Sequence, residues 1–570
     1  MFRFANAQAP STRALATRAF AALALVALAT LVLTHASPPA FAATDWEQVG
    51  VDIDGEAAGS EAGYSVALSD DGTTLAVGEW RNTGPLGANQ GQVRVYEFSG
   101  GVWVQKGSDI NGEAAGDNFG IAVDLSEDGL TLAVGAPSNG GAGSLAGHVR
   151  VFTFASDTWS QIGADLDGES GNDQFGSSVA LSADGRTVAI GAPSDRNTAD
   201  EFNSGQVSVY SYSTSWTQVG LRGQIEGESG DQLGHLNAVD ISDDGTVVAV
   251  GVRLRNNGAV SDTGALEVYA LSGGAWVQRG ATFYGDSADD QLGYAVSING
   301  DGTVAAAGAI HNDVEGKSDA GEVKVFAWDS SSWTQRGASI DGEGANDLFG
   351  HAVALNDAGT RLAVGAHEHD TAGSNSGRVR VFDFTAAAWS QVGSSIDGES
   401  AGDNFGISVA LNGDGAILAA GAQKDDGAGT DAGTVRVYTF RVESVTANTA
   451  QATDPGTPGI YLHVAGPVGR QAEGSPVYYG SYRVAITSTY LLSITDTSTQ
   501  STSRTLAEGV VDARGNLEAR ALLPALEPGT YDVVFQGKHR GGAGLRLTAR
   551  ITVGDAGSIT VLGENVPQLG

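Results

Sequence analysis

Seven of the nine tryptophans stand at nearly equal intervals: Trp46, Trp103, Trp159, Trp216, Trp276, Trp333 and Trp389, with spacings of 57, 56, 57, 60, 57 and 56 residues. A fixed period of this size means one supersecondary unit copied along the chain. Each tryptophan opens a similar passage. The copy from Trp103 reads Trp103-Val-Gln-Lys-Gly, then Asp109-Ile-Asn-Gly-Glu113, Gly116-Asp-Asn-Phe-Gly120 and Ile121-Ala-Val-Asp-Leu-Ser126. It continues through Glu127-Asp-Gly129 and Thr131-Leu-Ala-Val-Gly-Ala-Pro137 to a variable loop and Gly147-His-Val-Arg-Val-Phe-Thr-Phe154.

Each copy predicts four short strands. Ile121–Leu125 is a mostly apolar run, as expected for an inner strand covered on both faces. Asp128-Gly129 signals a tight hairpin, Thr131–Val134 a second strand, and Val149–Phe154 alternates as a half-buried third. The next Trp-x-Gln-x-Gly begins the fourth. No stretch after the leader keeps a helical period over ten residues. Seven units of four antiparallel strands predict an all-β, seven-bladed propeller. The array starts on a lone tryptophan strand at Trp46 and ends on three strands, Gly406–Leu411, Ile417–Ala420 and Thr434–Phe440. The first strand is therefore expected to complete the last blade, which removes the open edges of a linear array.

At this point the residues resemble a known family. Phe119-Gly120 with Gly135-Ala136-Pro137, and Phe175-Gly176 with Gly191-Ala192-Pro193, look like the FG-GAP repeat of integrin α-chain propellers and many bacterial surface proteins. The resemblance covers roughly residues 46–440. The first unit departs with Ala62-Gly63, the fourth and fifth with Leu233-Gly234 and Leu292-Gly293, and two units keep the proline.

Residues 1–42 read as a cleavable signal peptide: Arg3, Arg13 and Arg18, an apolar run Ala19–Leu33, and Ala40-Phe41-Ala42 as the cleavage site. Export to the cell surface or medium is the expectation, with no transmembrane segment after cleavage. The chain has no cysteine, so packing and strand ladders must hold it together. Its formal charge is −36, and losing three arginines and no acid with the leader takes it to −39. A surface this negative repels phosphate backbones, which argues against nucleic acid as a partner.

The propeller is expected over 43–446, and its acids sort by face. The loops leaving the fourth strands carry 23 of the 67 acids, so one rim is expected to be anionic. Candidates for a ligand face there are Glu113, Asp117, Glu169, Asp173, Glu343, Asp347, Glu399 and Asp403. Ca²⁺ is the cofactor such a rim suggests, because hard cations take several carboxylate oxygens. The competing reading is that each Asp fixes its own loop. The first-to-second hairpins occupy the place where the resembled propellers hold calcium through an Asp-x-Asp-x-Asp-Gly loop. Asp71, Asp128, Asp184, Asp244, Asp301 and Asp414 are the counterparts here, with too few carboxylates for that pattern, so plain Asp-Gly turns are expected. His367-Glu368-His369 reads as a solvated loop pair. Arg94, Arg150, Lys324, Arg380 and Arg436 recur in the third strand and are expected to pair with nearby acids.

Residues 447–458 have a linker composition, and 459–556 carry strand signals from Ile460–Val464 to Leu545–Val553, as in a β-sandwich. The run Leu526-Glu-Pro-Gly-Thr-Tyr-Asp-Val-Val-Phe535 resembles the closing hairpin of bacterial Ig-like domains, which act as stalks; 557–570 form a tail. No nucleophile elbow, phosphate loop or zinc-protease motif occurs. The expected function is a non-catalytic surface binding or adhesion protein for glycans or extracellular proteins. The alternatives are a purely structural envelope component and a secreted carbohydrate-active enzyme using rim carboxylates.

Overall fold

The computed structural model describes residues 44–221 and 225–442, and beyond them the backbones of strands between 462 and 569. The chain divides into two compact units, one of which is Thr44–Arg441. Among the described residues there is no helix, and hence none long and apolar enough to cross a membrane.

Thr44–Arg441 folds into seven antiparallel sheets. Blade 2 is typical: Ala122–Leu125 is innermost, followed outward by Thr131–Ala136, His148–Ala155 and Thr158–Gln161. The second strand is buried because both faces of a blade meet a neighbour. Leu132 and Val134 pack against Val93 and Val95 of blade 1, while Ala133 joins Val188 and Ile190 of blade 3. The sequence pattern for this strand, apolar without alternation, follows from that position.

The FG and GA glycines have one steric cause. A Cβ on Gly135 would collide with the carbonyl of Gly176, and a Cβ on Gly191 with that of Gly234. The backbone of each FG-type loop lies directly on the second strand of the preceding blade, and only glycine leaves room. The same contact joins Gly421 of the last blade to Gly63 of the first. The tryptophans latch neighbours from the outside. Trp159 Nε1 donates to the Lys106 carbonyl at 2.8 Å and Trp333 Nε1 to that of Arg279 at 2.7 Å.

The ring closes as expected. Thr44–Gln48 pairs on the outer side of Thr434–Val442, in the last blade. Trp46 Nε1 donates to Val392 O at 3.2 Å, and Trp103 Nε1 to Val49 O at 3.1 Å, so the junction carries the same latch as the other blades. At one end of the channel the first-to-second hairpins form a circle of seven backbone hydrogen bonds of 2.9–3.2 Å. It runs from Asp70 through Glu127, Ala183, Asp243, Gly300, Asp357 and Gly413 back to Asp70.

One departure from four strands per blade recurs. After the Trp-x-Gln strand the chain breaks at a glycine, Gly107 with φ 84°, and then Ile110–Asn111 returns to the same edge, pairing with Gln92 and Val93. Five of the six other sheets gain a two-residue segment in this way.

In the C-terminal segment, strands from Leu462–Val464 to Gln568–Leu569 form a three-stranded and a six-stranded sheet. The expected signal peptide and linker and the Ig-like packing of those sheets lie outside the described residues.

Candidate functional site

The acidic loops contain two kinds of carboxylate. The aspartates are buried and turn inward: Asp117 Oδ2 accepts from the Ala114 N–H at 2.8 Å, the Glu113 N–H at 3.2 Å and Asn139 Nδ2 at 3.1 Å. Asp173, Asp347 and Asp403 accept from Ser170, Gly344 and Ser400 N–H groups at 2.6, 2.6 and 2.7 Å. Burial pushes the Asp403 carboxyl above the usual range, although the Ser400 bond opposes it. The glutamates point outward. Glu113 lies 3.6 Å from Arg150, Glu343 2.5 Å from Arg378, and Glu399 3.2 Å from Arg436, while Glu169 is exposed.

The hairpin aspartates each close their own turn. Asp71 Oδ1 accepts from Ser69 Oγ at 2.8 Å and Thr73 N at 2.9 Å; Asp128 and Asp184 do the same with Ser126 and Leu130, and with Ser182 and Arg186. Asp244 accepts from Ser242 and Thr246, Asp301 from Asn299 and Thr303, and Asp414 from Asn412 and Ala416. Burial disfavours the charge on Asp71, Asp244 and Asp301, but these hydrogen bonds outweigh it and hold all three below the usual range.

The third-strand cations pair with acids as expected. Lys324 lies 2.7 Å from Asp286 and 3.1 Å from Glu322, and Arg436 is 3.2 Å from each of Asp52, Glu399 and Asp425. They have a second role that the sequence reading missed. The guanidinium carbons of Arg150, Arg380 and Arg436 lie 4.4, 5.3 and 5.6 Å from the ring centres of Phe119, Phe349 and Phe405. Three of the four FG phenylalanines thus have a cation over their faces.

The inner strands enclose a channel with a cavity of about 230 Å³. Asp124 and Asp240 line it, each bonding across to the next blade: Asp124 to Leu181 N–H at 2.6 Å and Asp240 to Ile298 N–H at 2.7 Å. Burial pushes their carboxyls up to about 7 and about 6. At the hairpin mouth stand Asp70, Glu127, Asp243 and Asp357. Burial, with the nearby Asp70 and Asp243 charges, pushes Asp357 up to about 7.

The opposite mouth differs in chemistry. The residue after each FG-type glycine stands within the inner strand near its start or up to four residues before it. It is Tyr64, His235, Tyr294 and His351 in blades 1, 4, 5 and 6, and Ile121, Ser177 and Ile407 in the others. The second-to-third loops add Trp80, Arg253 and His367. Trp80 lies 5.3 Å from Tyr64 between ring centres, Tyr294 5.0 Å from His351, and His351 4.1 Å from His367. Burial pushes His235 down to about 3 and His351 to about 4, so both are neutral at physiological pH. The Nδ1 atoms of His235 and His367 are buried without a hydrogen-bond partner. Arg253 donates to Gln232 Oε1 and forms no ion pair among the described residues. His367, expected in solvent, is 8% exposed, because it packs on His351 of the same blade rather than on loop residues. His369 Nε2 stands 3.8 Å from Asp347. The signal for this cluster was a position that varies between aromatic, imidazole and aliphatic while its flanks repeat.

The FG-GAP repeat family matches residues 164–210, 338–382 and 395–439. No curated protein matches the chain. Among solved structures, the periplasmic gluconolactonase PpgL of Pseudomonas aeruginosa is similar at 19% identity and a TM-score of 0.39, over 59% of this chain and 85% of that one. The GH74 enzyme of Niastella koreensis aligns at 12% identity and a TM-score of 0.34, over 92% of this chain and 73% of that one. These likenesses carry no activity over to this chain. Residues 44–441 thus form a seven-bladed β-propeller, and three stretches of it match the FG-GAP repeat.

Proposed function

We propose that this is a non-catalytic, exported or cell-surface binding protein, with the propeller presenting the ligand face and the C-terminal Ig-like sandwich serving as spacer. The ligand is a glycan or an extracellular protein, held at the mouth ringed by Tyr64, Trp80, His235, Tyr294, His351 and His367. One observation carries the reading. In a chain of charge −36, this mouth gathers aromatic faces, neutral imidazoles and an Arg253 without an acid partner. Two of its buried ring nitrogens have no partner. Flat rings with a few convergent polar atoms are what binding pockets use to orient a ligand. Aromatic residues also supply large contact area with a fixed geometry.

The test is a glycan and matrix-protein panel probed with the full-length mature protein, with and without Ca²⁺. Binding that Trp80→Ala and Arg253→Ala abolish supports the reading. No binding across the panel, together with ordered self-assembly, favours a structural envelope component.

One observation favours an enzyme as second reading. Asp357, pushed to about 7 beside Asp70, has the pKa of a general acid working near neutral pH. Polysaccharide cleavage lost in both Asp357→Asn and Asp70→Asn variants establishes that reading.

A further inference from the structure

One side chain on the long-loop face is not explained by the fold. His148 begins the third strand of blade 2 and is 1% exposed, yet its Nε2 has no hydrogen-bond partner. Leaving such a nitrogen unpaired costs about 1–3 kcal/mol. Two carboxylates lie beside it, Glu113 from the loop entering blade 2 and Asp165 from the connection leaving it. One ligand atom from each of the three residues lies within 4.8 Å of the other two.

The repeat shows what this place holds elsewhere. Blade 6 has Arg378 at the His148 position. Its guanidinium reaches Glu343, the counterpart of Glu113, at 2.5 Å and Asp397, the counterpart of Asp167, at 2.6 Å, while Ser395 stands at the Asp165 position. Blade 6 thus supplies a positive charge to the counterpart of Glu113 and has no carboxylate at the Asp165 position. Blade 2 puts a neutral-capable imidazole there instead. Arg150 stands 3.6 Å from Glu113, while it also donates to the Asn111 carbonyl at 2.6 Å and lies over the Phe119 ring.

The geometry points to a divalent transition-metal site formed by Glu113, His148 and Asp165. One imidazole nitrogen with two carboxylate oxygens suits Zn²⁺, Co²⁺ or Ni²⁺, whereas Ca²⁺ prefers an all-oxygen set. Ligand atoms about 2.0–2.2 Å from a tetrahedral metal lie roughly 3.3 Å apart, so the set must tighten by at most about 1.5 Å. His148 is fixed in the ladder, and Glu113, with a side chain 46% exposed, is free to swing. Such a site exists whether or not the channel mouth takes a ligand.

The test is titration of the chelator-stripped mature protein with Co²⁺ and Zn²⁺, read by Co²⁺ absorption and calorimetry. One equivalent is expected to bind, with a histidine-bearing Co²⁺ spectrum, and millimolar Ca²⁺ is not expected to compete. His148→Gln should fold, since Gln92 and Gln206 stand at this position in blades 1 and 3, and should weaken binding by more than the roughly 10–100-fold that loss of an outer partner causes. Glu113→Gln and Asp165→Asn, both outside the core, should each weaken it and keep the test valid if His148→Gln does not fold. Absence of stoichiometric binding, or binding by all three variants as tight as by the parent protein, overturns the assignment.

Discussion

Ring closure rests on few residues, which makes it testable by deleting them. Removing residues 44–50 takes away the strand outside Thr434–Val442, and with Val49 the carbonyl that accepts the Trp103 latch. Trp46 is 9% exposed, packs 5.1 Å from the Phe440 ring centre, and covers Gly393. Burying a tryptophan of this kind is worth about 3–5 kcal/mol by truncation to alanine. Among the further hydrogen bonds that disappear, three tie the strand to the last two blades: Trp46 Nε1–H to Val392 O, Val49 N–H to Val437 O, and Ser394 N–H to Asp45. At about 1 kcal/mol each they bring the loss to about 6–8 kcal/mol. A propeller of about 400 residues has an unfolding entropy near 0.8 kcal/mol/K, so the melting temperature should fall by about 7–10 °C. The assay is differential scanning calorimetry of the full-length mature protein against the deletion. Trp159→Ala serves as a comparison, because Trp159 makes the same latch, to Lys106 O, between blades the deletion leaves intact. A peptide spanning residues 43–50 added in trans should recover part of the loss. A shift under about 2 °C, smaller than a single latch accounts for, refutes the closure argument.

The loop aspartates and glutamates should separate in stability. Asp117→Ala, which strands two N–H groups and an amide, is expected to cost about 2–4 kcal/mol, and Glu113→Ala under about 1, by calorimetry; equal small losses refute a scaffold role. The His351 pKa is lowered in the fold by burial, so the stability of the neutral form is fully present above the unfolded pKa near 6.5 and lost as pH falls toward 4. At pH 5 the loss is about 2 kcal/mol, and His351→Tyr should remove it in urea titrations at pH 7.5 and 5. Reading it as the difference between variant and parent removes the opposite contribution of Asp124 and Asp240, whose raised pKa values add stability as pH falls. Replacing His235 and His351 by Ile, the residue at this position in blades 2 and 7, should keep the melt within a few degrees and abolish ligand capture; retained capture moves the ligand away from this mouth.

The fold was legible because its demands are local and repeated. Gly135 must lack a Cβ wherever an FG-type loop crosses the strand, and Trp159 must reach the previous blade, so both recur at the period and show in the sequence. The same logic placed Trp46 in the last blade, because a strand without predecessors and a blade without an outer strand have one solution. The return of Ile110–Asn111 to its own blade was not legible, since two residues after a glycine carry no periodicity. The mouth cluster was hidden for another reason. Tyr64, His235, Tyr294 and His351 are far apart in the chain, and each looks unremarkable beside its own glycine. They meet only when the ring closes.

Seven copies of one unit also act as an internal control on function. A residue needed for the blade recurs in most blades, as the buried loop aspartates do: Asp117, Asp173, Asp231, Asp290, Asp347 and Asp403 each accept a backbone N–H three residues back. Recurrence therefore argues for scaffold, even for a carboxylate on the long-loop face. Buried polar groups that break the repeat have no such explanation, because a neighbouring blade shows that the fold is satisfied by something else. Ile407 in blade 7 shows that blade 6 does not need an imidazole at 351, and Gln92 in blade 1 shows that blade 2 does not need one at 148. His148, His235, Arg253 and His367 are buried or half-buried and polar, and each stands at a position that other blades fill with a different residue type. Burying such groups without full pairing costs free energy that the propeller does not require. All four stand at or near the long-loop face and none at the hairpin end. The asymmetry between the two ends, and not the total acidity of the chain, is what marks that face as the working one.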